Sequence, residues 1–254
     1  MSGAPVTCAI HQPNLFPRLS TLAKLFAADV WVVLDDVQFT RRDYQHRARL
    51  RPLDPHRDDQ WMIAPVHLPH GRSTIIRDVT IADPLATRTR ISRMTEQHYA
   101  RSAHWPALQT GPLRDVVCAI DCGEPLASIA ETSTAAILAI LEWPGAVYHS
   151  SSFRVRSDRN LRLVDLVQAV GADTYLCGTG GARYLHHGAF DNAGLTVTHV
   201  AVPPEHGGGQ IWTDAHRISA LYALMEAGPH DVSAVLRTYT AAVRSPQEAA
   251  HLVP

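Results

Sequence analysis

A chain of 254 residues with 46% hydrophobic and 19% charged residues has the composition of one large globular α/β domain, which excludes intrinsic disorder. Its formal net charge of −1 supplies no field to gather nucleic acid, and a chain this long can bury its core without disulfide or metal staples. No apolar run approaches the ~20 residues of a membrane span, so no membrane partner is expected.

Val6-Thr7-Cys8-Ala9-Ile10 is a short apolar run rich in β-formers, read as a buried parallel strand. Leu19, Leu22, Leu25 and Phe26 then recur at helical spacing, with Ser20 and Thr21 as candidate caps. Val30-Trp31-Val32-Val33-Leu34 is a second buried strand, ending at Asp35-Asp36. Strand, helix and strand make a βαβ unit, whose crossover is expected to be right-handed. In such sheets ligands bind at the carboxyl ends of the strands, so His11-Gln12-Pro13-Asn14 and Asp35-Asp36 are expected on one edge.

A charged loop follows over 41–59, then a strand over 61–66 and a further edge strand over 75–81. From Pro84 to Glu142 the spacing turns helical. Val147 to Ser150 reads as a strand, and 159–170 as an amphipathic helix starting near Ser157 or Asp158. Thr174 to Cys177 is a strand, followed by the turn Gly178-Thr179-Gly180-Gly181 and a helix from Ala182. Leu195 to Val200 is another strand, Gly207-Gly208-Gly209 a flexible loop, and Ile218 to Ala227 a helix stopped by Gly228-Pro229. The tail from Ser245 is polar and expected to fray.

The expected architecture is therefore α/β, a mostly parallel sheet with helices on both faces and a helical insert. An N-terminal half would span 1–83, the insert 84–145, and a C-terminal half over 146–254 would complete the same sheet. Cys8, Cys118, Cys122 and Cys177 are scattered as reduced thiols would be. The first residues lack a basic segment before a long apolar core, so a cytoplasmic location is expected.

Candidate chemistry concentrates in three places. His11 can donate or accept through its ring, and Asn14 supplies an uncharged amide, a pairing suited to stabilising a developing oxyanion. The competing reading is that both satisfy backbone groups in a proline-rich turn. One of Asp35 and Asp36 is expected to reach the site as a base, a Mg²⁺ ligand or an amine binder, because neighbours on a strand point to opposite faces. Arg47 could clamp a carboxylate or phosphate with Gln12 and Gln38 nearby, against the alternative of a solvated charged loop. The 178–181 turn offers backbone N–H groups to an anion, or else holds glycines at positive φ. It carries neither a Gly-Lys-Ser/Thr phosphate loop nor a full dinucleotide fingerprint. Cys177 is read as a buried hydrophobe rather than a nucleophile. Cys118 and Cys122, four apart on a helix, lack a second zinc pair and are read as core or chance. His186-His187 diverge on a helix, and no Gly-x-Ser-x-Gly elbow is present.

The block His11-Gln12-Pro13-Asn14-Leu15-Phe16-Pro17, then Ala28-Asp29-Val30 and Leu34-Asp35-Asp36-Val37-Gln38-Phe39, resembles the signature of the WbqC-like family. Arg47, Trp61 with Pro65-Val66, Tyr175 to Gly178 with Tyr184-Leu185, and Gln210 with Ser219 to Pro229 extend the resemblance along nearly the whole chain. It implies a bacterial biosynthetic protein in which acyl or aminoacyl transfer is the expected activity, and it singles out Arg47 among the arginines of its loop. The chain departs from the family pattern at His46 and Ala48, where asparagines are usual, and at Tyr222, where an acid is usual. Those departures imply a different substrate. The first turn also resembles the His-x-Gly-His turn of nucleotidylyl transferases, although Pro13 and Asn14 replace its Gly and second His.

The expected function is a biosynthetic transferase that forms an amide or ester bond to an amino-sugar or specialised-metabolite acceptor. His11, Asn14, Asp35 and Asp36 would be catalytic. Gln12, Gln38, Arg47, Gly178, Thr179, Gly180, Gly181 and Tyr184 would bind substrate, with no metal ligands among them. A small-molecule substrate and an acyl carrier protein are the expected partners. The alternatives are an ATP-dependent ligase or nucleotidyl transferase using ATP with Mg²⁺, and a non-catalytic carrier-protein or polysaccharide-pathway binding module.

Overall fold

The structure is a computed structural model that describes residues 5–201 and 210–245. The glycine tract at 207–209 and the tail beyond Ser245 lie outside the described residues.

Nine strands and ten α-helices follow the chain among the described residues. They are β1 (Thr7–His11), α1 (Leu19–Phe26), β2 (Val30–Val33), β3 (Arg47–Leu50), β4 (Gln60–Ile63), β5 (Val66–His67) and β6 (Thr80–Ile81). Next come α2 (Pro84–Tyr99), α3 (Trp105–Leu108), α4 (Arg114–Asp121), α5 (Leu126–Ile140), β7 (Ala146–His149), α6 (Arg159–Ala169) and β8 (Thr174–Gly178). The last are α7 (Thr179–Ala182), α8 (His187–Asp191), β9 (Thr196–Val200), α9 (Ala220–Ala227) and α10 (Pro229–Arg244).

Five strands form one parallel sheet in the order β7-β2-β1-β8-β9. Strand alternation sends side chains into two separate cores. Ala9, Trp31, Val33 and Leu176 join α1, α5, α9 and α10 on one face, while Cys8, Ile10, Val32, Tyr175 and Cys177 join α6 and α8 on the other. Helices thus cover both faces, as the continuous apolar strands require. The order runs outward from β1 to β2 and β7, then returns to β8 and β9. The switch point of the sheet is the boundary between β1 and β8, where open α/β sheets bind ligands.

Several local expectations change. Residues 60–67 do not enter the main sheet. β4 pairs with β3 and β5 with β6 in two small antiparallel ribbons, and the expected edge strand over 75–81 shrinks to a 3₁₀ turn, Ile76–Asp78, and two β residues. Ile76 and Val79 bury against Phe39 and Leu126 instead of a sheet face. The helix expected from Ala182 is two short pieces, α7 and α8. Neither Ser20 nor Thr21 caps α1. Arg18 holds the cap position without a side-chain bond, and the first helical N–H groups of Leu19 and Ser20 donate to the carbonyls of Ile218 and Ala215 at 3.4 and 2.9 Å. The stop at Gly228 (φ 88°) is also a start, because Pro229 occupies the first turn of α10, where its missing N–H costs nothing. Cys118 and Cys122 are exposed, so of their reading as core or chance the core alternative is removed.

α10 locks the amino edge of the sheet. Arg244 donates to Ala27 O and Asp29, and the Asp29 carboxylate accepts from both Thr7 N and Thr7 Oγ1 at 2.8 Å. Asp29 therefore lies at the edge opposite the candidate site. Among the described residues no helix is long and apolar enough to cross a membrane.

Candidate functional site at the carboxyl edge

β1 ends at His11, β2 just before Asp35-Asp36, β7 just before Ser150-Ser151, and β8 at Gly178. Because all these strands are parallel, the four chain segments share one edge. They are built very differently.

The turn after β1 is the most constrained. Phe16 has φ 44°, a left-handed conformation that costs a residue with a Cβ roughly 1–2 kcal/mol. Its N–H donates to Ser133 Oγ at 2.8 Å, and its carbonyl accepts from Ser219 Oγ at 2.9 Å. Asn14 O accepts from Ser133 Oγ and Thr134 Oγ1 at 3.1 and 3.0 Å. Hydroxyls from α5 and from the cap of α9 thus hold a strained turn in place, a pattern that clusters at functional sites. Most of this backbone is satisfied from outside, and of the two candidate side chains Asn14 contributes one bond to it, to Pro13 O. Asn14 Nδ2 donates to Pro13 O at 3.1 Å, while the enclosed Asn14 Oδ1 and the His11 ring neighbour each other, and neither Asn14 Oδ1 nor His11 Nε2 has a partner elsewhere among the described residues. Asn14 therefore offers its Oδ1 as an acceptor to the site, one of its two N–H donors being engaged.

Burial, reinforced by the positive charges of Lys24 and Arg18 and only partly opposed by the neighbouring Asn14 side chain, holds the pKa of His11 well below the ordinary histidine value. His11 is a neutral imidazole at neutral pH. Gln12 Oε1 accepts from the fully buried Gln45 Nε2 at 2.6 Å, and Leu15 N donates to Tyr44 O at 3.0 Å, which ties this turn to the 44–47 segment.

The pair at the end of β2 divides its roles. Asp35 is 7% exposed and accepts from Ser150 Oγ (3.0 Å), Ser151 N (3.1 Å) and Ser151 Oγ (2.7 Å). Its carboxylate is saturated within the fold. Asp36 pairs with Arg162, accepts from Ser150 Oγ, and lines a cavity of about 570 Å³ with Phe153, Arg154, Arg156 and Arg162. Asp36 is the member of the pair that faces open space.

Other sequence candidates are placed apart or otherwise engaged. Arg47 Nε donates to Asp43 O at 3.1 Å, another N–H donates to Arg42 O, and the guanidinium lies over Trp61, 4.4 Å from the ring centroid. It braces its own loop. Gln38 is exposed and donates to Arg72 O at 2.6 Å, away from the edge. Tyr184 is 62% exposed beneath Arg159. In the turn Gly178-Thr179-Gly180-Gly181 no glycine has positive φ. Close approach constrains Gly181 alone, where a Cβ would meet Cys177 Sγ at 3.0 Å; one on Gly178 would make ordinary contact with Lys24 at 3.5 Å, and one on Gly180 would meet nothing. Burial pushes the Cys177 thiol up, so little thiolate is available there.

Lys24 is the residue that pattern reading missed. It sits on α1, is 8% exposed, and donates from Nζ to Ile10 O at 3.1 Å. Burial lowers its pKa to about 8, with smaller opposing contributions from Cys177 and Cys8. One signal marked it, since the whole chain has a single lysine against 22 arginines. Helical periodicity alone hid it inside an apolar stripe. Among the described residues no three His, Cys, Asp or Glu side chains gather as a metal-binding group.

Comparison with known proteins adds one relative of this size. An uncharacterised protein, Rv1507c, from Mycobacterium tuberculosis (strain ATCC 25618 / H37Rv) is 24% identical over 193 residues, covering 75% of this chain and 80% of the relative. No solved structure matches the chain. The model of the WbqC-like protein family matches residues 12–234, which include the His11 turn from Gln12 onward, both aspartates and the β8 turn, and the chain belongs to that family.

Proposed function

We propose that this protein is a biosynthetic transferase that forms an amide or ester bond by moving an acyl or aminoacyl group to an amino-sugar or specialised-metabolite acceptor. The observation that carries this reading is the neutral His11 ring at the switch-point edge, with Nε2 enclosed beside Asn14 and without any other partner among the described residues. Buried polar atoms in native proteins almost always have partners, and exceptions concentrate where a ligand or reacting group completes the bond. A neutral imidazole placed there donates an N–H to the carbonyl oxygen as it gains charge in the tetrahedral intermediate. Asn14 Oδ1 accepts from the acceptor amine or hydroxyl. Asp36, at the mouth of the open cavity, takes a second hydrogen bond from the acceptor and aligns it for attack.

The test supplies acyl and aminoacyl thioesters as donors and amino sugars as acceptors, with the amide product read by mass spectrometry. Product from the natural sequence, and its loss in His11→Ala with an unchanged melting curve, is the expected result. Wild-type turnover by His11→Ala would sink the reading.

A second reading is supported by the cavity beside Asp36. Its arginines and the Phe153 wall suit a nucleotide, with ATP and Mg²⁺ activating a free acid on the same edge. Pyrophosphate release from ATP with a free acid separates the two, because the thioester route releases none.

A further inference from the structure

The ladder between β1 and β8 stops early. Their register covers only Thr7 with Thr174 and Cys8 with Tyr175, whereas β1 stays paired with β2 through His11 and β8 with β9 through Gly178. Beyond Cys8 the two central strands are no longer hydrogen-bonded to each other. This opening lies at the switch point of the sheet, and the side chain of Lys24 reaches it from α1. Side chains on a helix lean toward its N-terminus, so Lys24 is aimed at the carboxyl edge. Its ammonium donates to the carbonyl of Ile10 and lies beside Gly178.

The charge balance there is one-sided. An ammonium has three donors, and among the described residues the Ile10 carbonyl is the partner it meets, with no carboxylate paired to it. The groups around it are His11 and Arg18, both donors, and the thiols of Cys8 and Cys177, both held protonated by burial. The Arg18 Nε also lacks a partner among the described residues, while its terminal nitrogens donate to His216 O and Thr21 Oγ1. Leaving a buried charge unpaired is costly, and such a centre is stabilised by an incoming opposite charge.

We propose that Lys24 is the anion-binding residue of the substrate site, holding a carboxylate or phosphate oxygen of the substrate between β1 and β8 with His11 and Arg18 beside it. The inference rests on the reading of the His11 edge as the substrate site but not on acyl transfer as its reaction. Arg47 does not serve this role, since its guanidinium holds its own loop. A purely structural Lys24, present only to cap Ile10 O, would be indifferent to added anions.

The single lysine makes the test direct. Protein prepared with ¹³C,¹⁵N-lysine gives one Cε–Nζ signal, whose pH titration reads Lys24 alone. The expected midpoint in chloride is about 8, rising by a unit or more in saturating inorganic phosphate or acetate. The phosphate and acetate arms separate a phosphoryl group from a carboxylate as the natural anion. A midpoint unmoved by either salt, or moved equally by sodium chloride at matched ionic strength, overturns the proposal. Lys24→Met, checked for folding by circular dichroism, is expected to lose the anion-dependent rise in melting temperature. Retention of that rise also overturns it. Failure of the transferase assay alongside a moving midpoint would leave the anion site standing, so the two readings fail separately.

Discussion

Two stretches of the same sheet edge carry the family's polar residues, and they are finished to different degrees. At β2 and β7, Asp35 is closed by Ser150 and Ser151, and Asp36 by Arg162 and Ser150. At β1 and β8, among the described residues, His11 Nε2 and Asn14 Oδ1 have no partner beyond each other, Arg18 Nε has no partner, and Lys24 has one carbonyl. The first flank resembles a structural network centred on Asp35, whose carboxylate is fully met and whose gain is rigidity, although Asp36 borders open space and Arg162 Nε has no partner among the described residues. The unfinished flank keeps donors and acceptors in a low-dielectric setting without mates, a state that costs stability unless a ligand repays it. Asp35 and His11 would be grouped together by sequence alone, and the hydrogen bonds separate them.

The largest effect expected to sharpen this contrast is on turnover. His11→Ala should lower it by about 10²–10³-fold with little change in melting, since the removed ring had no partner at Nε2. Asp35→Ala should behave in the opposite way. It leaves the Ser151 hydroxyl and N–H without their acceptor, while Ser150 Oγ keeps Asp36, so denaturant unfolding should show a loss of about 2–3 kcal/mol. Activity per folded molecule should persist, and a stable but inactive Asp35→Ala would erase the distinction.

A pH effect comes next. Burial, then the charges of Arg47 and Arg41, lower the pKa of His46 to about 4, while the unfolded imidazole stays near 6.5. Below pH 6.5 the unfolded chain binds protons that the folded one refuses. Stability should therefore be fully present above pH 6.5 and fall as pH drops toward 4, by about 2 kcal/mol from this residue. The depressed pKa values of His11 and His98 act with the same sign. Equilibrium unfolding at pH 7 and pH 4.5 should show a smaller difference in His46→Gln than in the natural sequence. The smallest effect is expected at Ser133→Ala, which removes a buried hydroxyl bonded to Phe16 N, Asn14 O and Ala130 O. A loss of about 1–2 kcal/mol, with a fall in activity larger than stability explains, would tie the strained turn to the site.

Much of the fold was legible because continuous β-branched runs can only be buried parallel strands. The five strands of the main sheet and α6 with its Asp158 cap could be read this way, and with them the meeting of the candidate residues at one carboxyl edge. The edge strand over 75–81 could not, since short apolar runs do not reveal whether they bury against a sheet or a helix. α10 was hidden because Pro229 reads as a stop and serves equally as a start. Arg47, Gln38 and Tyr184 carried the family pattern, yet a pattern does not report which atoms a side chain already holds.

The amino-acid order by itself determined the strand and helix periods, the family, and the presence of one lysine among 23 basic residues. The tertiary structure decided which polar atoms were left unpaired. That outcome depends on where β1 and β8 stop pairing, on hydroxyls from α5 about 120 residues away in the chain (119 from Asn14 to Ser133), and on α1 leaning Lys24 toward Ile10. Such partners are set by packing between elements distant in sequence, and periodicity within any one element carries no information about them.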